Sequence, residues 1–517
     1  MFDWIVTLIP ALPWLASALL GFHILTGRIS SEADEPRSAG LILSTISLSF
    51  LLACLALILA EYGLINRVIT LGRWLDSGDF HVHLSLLAER QTLGATALFS
   101  GLILLTARFS VNYLHREAAY HRFFLILGLF AGAIPCLILG GNLVLTWLGW
   151  ELAGVCSFLL IVHARQRPIA ARHTTRAFLT HRVGDAGFGL AIFVAYTSGG
   201  SLEWAKILTD FPVRGQSLSG SLALCLLLPA LAKSALIPFS PWLTRAIEGS
   251  TPSSALFYGA VMVSVGAFLV LRLEPLFMTA PWAMALMAAA GLVTLIYGYL
   301  CGLTQSDVKT ALIFATISQT GLIFLLAGSG FWTWAWWYMA AHAVLRALQF
   351  LNAPSLMHHA LHLPTLRPPA FLTRQRWLYR LSLQRFRLED ICDDVLVKPC
   401  LNLSRDCQHF DQEVIEKSLG WSGSALYELA TLAQWEEERL GVRPKGQRSL
   451  GGLPAWIINT LGALLHWFEQ QLVLRGLDQK ILRGGKRLGQ QLDRMEYALA
   501  LPRYWLLWII LTLLILV

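Results

Sequence analysis

Charge is scarce in this sequence. Asp, Glu, Lys and Arg make up 14% of its 517 residues, where a soluble domain uses about a quarter. A water-facing surface cannot be assembled from so few, and a hydrophobic share of 56% excludes a soluble globular chain. The eight cysteines are scattered, five of them in or beside apolar runs, so there is no disulfide framework. Cys392, Cys400 and Cys407 lie near Asp393, Asp394 and His409 without a zinc spacing, and no metal is expected there. Phosphate loop, dinucleotide fingerprint and nucleophile elbow are all missing, which argues against self-contained redox or hydrolytic chemistry and against a cofactor. The first apolar run has no basic stretch before it and reads as a retained span, not a cleaved signal. The net charge of +8 does not imply nucleic acid, because the arginines sit in loops between apolar runs, where membrane topology explains them.

What the sequence has is long apolar runs, several near twenty residues, the length that crosses a bilayer. The fold class is therefore an all-α polytopic membrane protein. Spans are predicted at about 2–25, 38–61, 93–114, 122–140, 142–162, 183–199, 219–249 (broken), 252–273, 281–303, 310–328 and 331–351, with a twelfth near 498–517. Residues 63–92 are too polar to span, and alternation such as FHVHLSL predicts a strand-like hairpin. The expected organisation is N-terminal spans and hairpin (1–90), a transmembrane core (91–351), a helical region (352–452), an amphipathic lateral helix with a loop (453–496) and a terminal anchor (497–517). In the lateral helix Ile457, Ile458, Leu461, Leu464, Leu465, Phe468 and Leu472 recur at helical spacing behind Pro454. Arg165, Arg167, Arg172 and Arg176 lie in one loop, Arg116 and Arg122 in another, and more arginines follow the eleventh span. The positive-inside rule puts all three on the cytoplasmic side of a bacterial inner membrane, the tail with them.

The chain is organised around LALCLLLPALAKSALIPFSPWLTRAIEGSTPSSAL, residues 222–256. Lys233 lies deep in this run, Pro238 and Pro241 break it, and Glu248 follows. A lysine at mid-membrane costs about 2.5–3.5 kcal/mol on insertion scales and marks an ion pathway by default. The alternative is a lysine snorkelling from a helix end, against which stand the apolar residues on both sides. Glu151 is surrounded by apolar residues, and Arg182 and Asp185 open the next span. Glu151 and Lys233 would oppose each other if their helices pack together. Asp307 and Lys309 follow a span, either as part of a route or as a plain loop charge pair; Ser318 and Gln319 lie inside the next helix. His342 and Arg346 are one helical turn apart on one face.

Together YHRFF, LTWLGWELAGVCSFLL, HRVGDAGFG, ALAKSALIPFSPWL, AIEGSTPSSAL and TQSDVKTALIFATISQTG resemble the proton-translocating antiporter family, which includes the NuoL/NdhF-type subunit of respiratory complex I and the Mrp antiporter subunits. The tail RFRLEDICDDVLVKPCLNLSRDCQHFDQEVIE is similar to the NuoL-type C-terminal region, and 454–474 with the last span to its lateral helix and anchor. The resemblance implies that Glu151 and Lys233 are the central carboxylate–lysine pair, Arg182 and Asp185 a modulating pair, Lys309 the cytoplasmic-side lysine and His342 the eleventh-span histidine. This chain departs from the family pattern in having Tyr258 where the family has a histidine and Arg346 where it has a lysine. The family's second broken helix is missing between the eleventh span and the tail. The departures imply a shortened NuoL-like subunit serving a different partner, as in the DabB-type subunit of inorganic-carbon accumulation complexes, which works with a soluble carbonic-anhydrase-like protein. NuoL-like pumping, Mrp-type cation/proton antiport and a non-conducting anchor are the other functions the sequence leaves open.

Overall fold

The structure is a computed structural model and describes residues 2–77, 80–161, 168–246, 249–360 and 368–410. The chain divides into two compact units, Met1–Lys398 and Pro399–Val517. Of the second only residues 399–410 are described, so the lateral helix, the terminal anchor and the helix expected at 422–440 lie outside the described residues.

The first unit begins with α1 (Asp3–Leu25) and α2 (Glu35–Glu61). A hairpin follows, β1 (Val68–Ser77) paired antiparallel with β2 (Phe80–Leu87), from Val68 opposite Leu87 to Ser77 opposite Phe80. Helices α3 (Arg90–Tyr113), α4 (Tyr120–Leu139), α5 (Leu143–Ile161) and α6 (Pro168–Gly199) come next. Side-chain caps mark some starts: the Glu89 and Thr92 side chains cap α3 reciprocally. The hairpin folds over one end of the helices. Gly141 donates to the Ser85 carbonyl (2.8 Å), Asn142 Nδ2 to the His83 carbonyl (2.6 Å), and Ser85 Oγ to Glu203 Oε2 (2.9 Å). Burial raises the Glu203 carboxyl, and its hydrogen bond from Ser85 opposes that.

Short α7 (Trp204–Arg214) leads into α8 (Gln216–Lys233). Beyond it lie α9 (Pro241–Arg245), α10 (Thr251–Ser254), a π-helical turn Ala255–Ala260, α11 (Met262–Arg272) and α12 (Glu274–Met278). Two long antiparallel helices, α13 (Pro281–Gly302) and α14 (Val308–Gly328), pack along their whole length. They meet on glycine: a Cβ at Gly321 would lie 2.7 Å from the Gly291 carbonyl oxygen, and one at Gly298 2.8 Å from that of Phe314. Small residues allow helix backbones to approach this closely inside a membrane. Helix α15 (Trp332–Ala360) follows, then α16 (Ala370–Arg374) and α17 (Arg376–Leu383). After α17 come α18 (Leu388–Cys392), a π-helical turn Asp393–Val397 and α19 (Lys398–Phe410).

Among the described residues nine helical segments are long and apolar enough to cross a membrane. The sequence reading counts twelve. Its spans at 183–199 and 331–351 fall within α6 and α15, which have the length but are not among the nine, and the twelfth lies outside the described residues. The surface hairpin expected at 63–92 is present as β1 and β2.

Candidate functional site

The site is built where α8 stops. Lys233 is the last residue of α8 and is 1% exposed. The seven residues from Ser234 to Ser240 are non-helical, and Ala235 takes a left-handed backbone conformation with φ of 55°. A helix end this deep frees carbonyls and amides that lipid cannot satisfy. Neighbouring groups meet the need here. Trp242 Nε1 donates to the Ala232 carbonyl (2.8 Å), the Ile237 amide to Thr294 Oγ1 on α13 (3.0 Å), and Ser234 Oγ to the Val263 carbonyl on α11 (2.6 Å). The break is therefore a packed feature of the fold, with protein covering the backbone.

Lys233 Nζ donates to the Trp150 carbonyl (3.3 Å) and lies 4.9 Å from the centre of the Trp150 ring. A ring face attracts a desolvated cation by about 2 kcal/mol. Gly154, one turn further along α5, leaves room: a Cβ there would stand 3.0 Å from Lys233 Nζ. Next to this lies a charged triad. Arg182 on α6 forms ion pairs with Glu151 of α5 and, at 2.8 Å, with Asp185 on its own helix. Asp185 also accepts a hydrogen bond from Trp150 Nε1 (2.9 Å). Trp150 thus joins the two halves, its carbonyl holding Lys233 and its indole N–H holding Asp185.

The opposed pair expected of Glu151 and Lys233 takes a different form. The ion-pair partner of Glu151 is Arg182, and no carboxylate among the described residues lies within 4.0 Å of Lys233. The register of α5 against α6 turns Glu151 towards the guanidinium, and that register is a product of packing. Glu248 lies outside the described residues. Tyr258 falls within the π-helical turn Ala255–Ala260.

The remaining candidates lie on other helices. Asp307 caps α14, accepting from the Thr310 amide (2.8 Å) and Thr310 Oγ1 (2.9 Å), and makes no direct ion pair with Lys309. Lys309 Nζ donates to Thr251 Oγ1 (3.0 Å), which is 2.9 Å from the Tyr113 hydroxyl. Ser318 donates to the Leu295 carbonyl (3.0 Å). On α15, His342 is buried with neither ring nitrogen hydrogen-bonded to a described residue. Arg346 is buried too. It donates to Gln319 Oε1 (3.2 Å) and Gln349 Oε1 (2.7 Å), both neutral groups.

Three groups at this site went unmarked in the sequence reading. His181 is buried beside Arg182, its Nε2 has no hydrogen-bond partner among the described residues, and its ring meets that of Trp242 edge to face at 4.5 Å. Trp150 and Trp242 are the other two. Tryptophans in apolar runs read as core; only their N–H groups, which need partners when buried, could have drawn attention. At the hairpin end Arg272 is also buried. It donates to the Ile138 (3.3 Å) and Gly140 (3.0 Å) carbonyls, closing the C-terminus of α4, and stands 4.7 Å over the Trp204 ring.

Chemically, the cluster is a buried amine beside a carboxylate–guanidinium–carboxylate triad. Such an amine can give up or take a proton when the charges near it move. Among the described residues no group of His, Cys, Asp and Glu could hold a metal ion.

Residues 140–383 match the NADH:quinone oxidoreductase/Mrp antiporter membrane family, and residues 74–124 match the N-terminal family of NADH-ubiquinone oxidoreductase chain 5. The chain belongs to this antiporter-like family. The longer match contains Glu151, Arg182, Asp185, Lys233, Lys309, His342 and Arg346, so the whole cluster lies in the family's shared region. Family relatives include the chloroplastic NAD(P)H-quinone oxidoreductase subunit 5 of Nephroselmis olivacea, 35% identical over 364 residues, 69% of this chain and 56% of that one. The NADH-quinone oxidoreductase subunit L of Mycobacterium tuberculosis is 35% identical over 291 residues, 56% of this chain and 46% of that one. The chain spans about half the length of the curated relatives it matches. In fold it is similar to a chain of the Mrp complex from Dietzia sp., with a TM-score of 0.60, 24% identity and coverage of 69% and 38% of the two chains. It is also similar to a chain of the membrane-bound sulfane sulfur reductase, an archaeal respiratory membrane complex, with a TM-score of 0.58, 17% identity and coverage of 67% and 70%.

Proposed function

We propose that this chain is a proton-conducting membrane subunit of a multi-subunit complex, coupling proton movement to work done by a partner. The observation that carries this reading is Lys233, a fully buried amine at a helix break, held by a carbonyl and an indole ring next to the Glu151–Arg182–Asp185 triad. A purely structural anchor has no reason to carry such a group, since each buried charge costs insertion energy. The relatives whose names mention quinone oxidoreductase or Mrp complexes support membership of an assembly.

The coupled reaction is the finer part of the proposal. The chain is read as the DabB-like partner of a soluble carbonic-anhydrase-like protein, energising uptake of inorganic carbon. Two features favour this over NuoL-like pumping or Mrp-type antiport. Arg346 stands where the family resemblance implies a lysine, and among the described residues no second broken helix follows α15. Purification of the complex from its own membranes tests it: a carbonic-anhydrase-like protein in the complex is the expected result, and a set of quinone-reductase subunits would overturn the carbon reading. The tail is placed on the cytoplasmic side of a bacterial inner membrane. A cysteine introduced at Gly446 should be labelled in inverted vesicles and protected in intact cells; labelling of intact cells would overturn that topology.

Arg346 is read as a fixed positive charge on the route. Arginine keeps its proton at any physiological pH. It can therefore hold back a proton on Lys233 without carrying one, and exit would run near His342 or through a partner. Arg346→Lys should conduct with an altered pH profile between about pH 6 and 8, a window in which arginine itself does not titrate. Arg346→Ala should uncouple. Proton uptake by the two variants, normalised to assembled complex, is the measurement, and an Arg346→Ala profile identical to the parent would end the route before α15.

A further inference from the structure

The segment after α17 does more than connect the core to the tail. Arg385, Phe386 and Arg387 have φ values of 51°, 53° and 54°, three left-handed residues in succession with no glycine among them. Such a backbone conformation is strained for a residue with a side chain and persists only where surrounding contacts over-determine it. The contacts are present. Phe386 packs beside Tyr297 of α13 (ring centres 6.0 Å apart), and the Arg385 guanidinium lies 5.4 Å from the centre of the Phe314 ring of α14. The strained turn aims α18 and the following π-turn at the far side of the broken helix.

Two acids one helical turn apart make the landing. The Glu389 side chain, 12% exposed, accepts from Arg245 Nε (2.9 Å) and Thr244 Oγ1 (3.2 Å), both on α9, and from Arg385 (2.6 Å). Asp393 pairs with Arg176 of α6. Glu389 therefore holds the helix that follows the break, and Asp393 holds the helix that carries Arg182. Arg176 precedes Arg182 by six residues, about 9 Å along the helix axis. From α9 the contacts lead directly into the charged cluster. Trp242 donates to the Ala232 carbonyl beside Lys233, and its ring meets His181 beside Arg182.

We propose that Glu389 and Asp393 are positioning residues of the proton route, a two-point strap that sets the separation between the helix break at Lys233 and the Arg182 triad on α6. The assignment rests on the proton-conducting reading for its functional consequence but not for its geometry. The strap stays charged in use. Burial alone would raise the Glu389 carboxyl, but Arg385 and Arg245 outweigh it and hold it below the ordinary carboxylate range. A carboxylate shifted this way contributes stability above its unfolded pKa and loses it only as pH falls through the lower folded value, so neutral pH keeps the clasp closed. Glu389 is accordingly a poor proton carrier and a good fixed anchor.

The Asp393–Arg176 pair gives the cleaner test, because Glu389 faces two arginines. Full-length complex carrying Asp393→Arg, Arg176→Asp, or both would be followed by amide hydrogen exchange over residues 234–246 and by the pH profile of proton uptake. Each single variant should speed exchange there by about tenfold or more, the scale of a lost charged hydrogen bond, and should shift the pH profile. The double variant, with the charges swapped, should restore both. Unchanged exchange in the singles would overturn the proposal. So would faster exchange with an unmoved pH profile, which would leave the strap a merely structural contact. If either reversal fails to accumulate, Asp393→Asn is read in its place with the same criteria. Should the parent complex move no protons, the functional reading falls, and the exchange data with their rescue decide the strap alone.

Discussion

Lys233→Ala is expected to abolish proton movement in a complex that still inserts and assembles. The two consequences separate because of how Lys233 is held. Its contacts are a backbone carbonyl and a ring face, and removing the ammonium strips no carboxylate among the described residues of an ion pair. Deleting it breaks no direct ion pair among the described residues, so packing should survive. Proton transfer, by contrast, loses the group proposed to take up and release the proton. A fall of at least about a hundredfold in uptake per assembled complex is expected, the lower end of what a proton-transfer group contributes. Lys233→Arg sharpens the result. It retains the positive charge but cannot release a proton, and should be equally inactive. Parent-like uptake by either well-assembled variant would remove Lys233 from the route.

Arg182→Leu should behave in the opposite way and strike stability first. Arg182 is the one described cation in ion-pair contact with both Glu151 and Asp185. Its removal leaves two carboxylates side by side in an apolar setting, and breaking a buried pair this way costs about 3–5 kcal/mol. The variant should lose accumulation and unfold at lower temperature in detergent. Neutralising the acids as well, with Glu151→Gln and Asp185→Asn, should recover most of the stability, since neutral amides can satisfy one another by hydrogen bonds, while proton uptake stays lost. If Arg182→Leu alone is as stable as the parent, the triad is too solvated to behave as a buried ion cluster. Thermal unfolding of the single and triple variants decides this.

The contrast between these two residues shows what could be read from the sequence. Apolar run length gave the spans, period-two alternation gave the hairpin, and Pro238 with Pro241 gave the broken helix, because each signal is local. Which charges meet is not local. Glu151 turns to Arg182, and Lys233 to a backbone carbonyl, because α5, α6 and α8 rotate to bury their large side chains, and that rotation depends on every residue of the interface. Asp307 followed by Thr310 is a capping pattern legible in the sequence. His181, Trp150 and Trp242 look like core in one dimension, and only their partners show otherwise. The strap was least legible of all: Glu389 lies 144 residues from Arg245 and Asp393 217 residues from Arg176.

The glycine contacts between α13 and α14 bear on mechanics. Two backbones in close approach at Gly291, Gly298 and Gly321 leave little side-chain packing to shear at those points, so the pair moves as one plate. That plate carries Thr294, which receives the Ile237 amide of the break, and Gln319, which receives Arg346. Compliance is then concentrated in the seven non-helical residues between Lys233 and Pro241. A displacement of this plate reaches those residues through Thr294, next to the lysine.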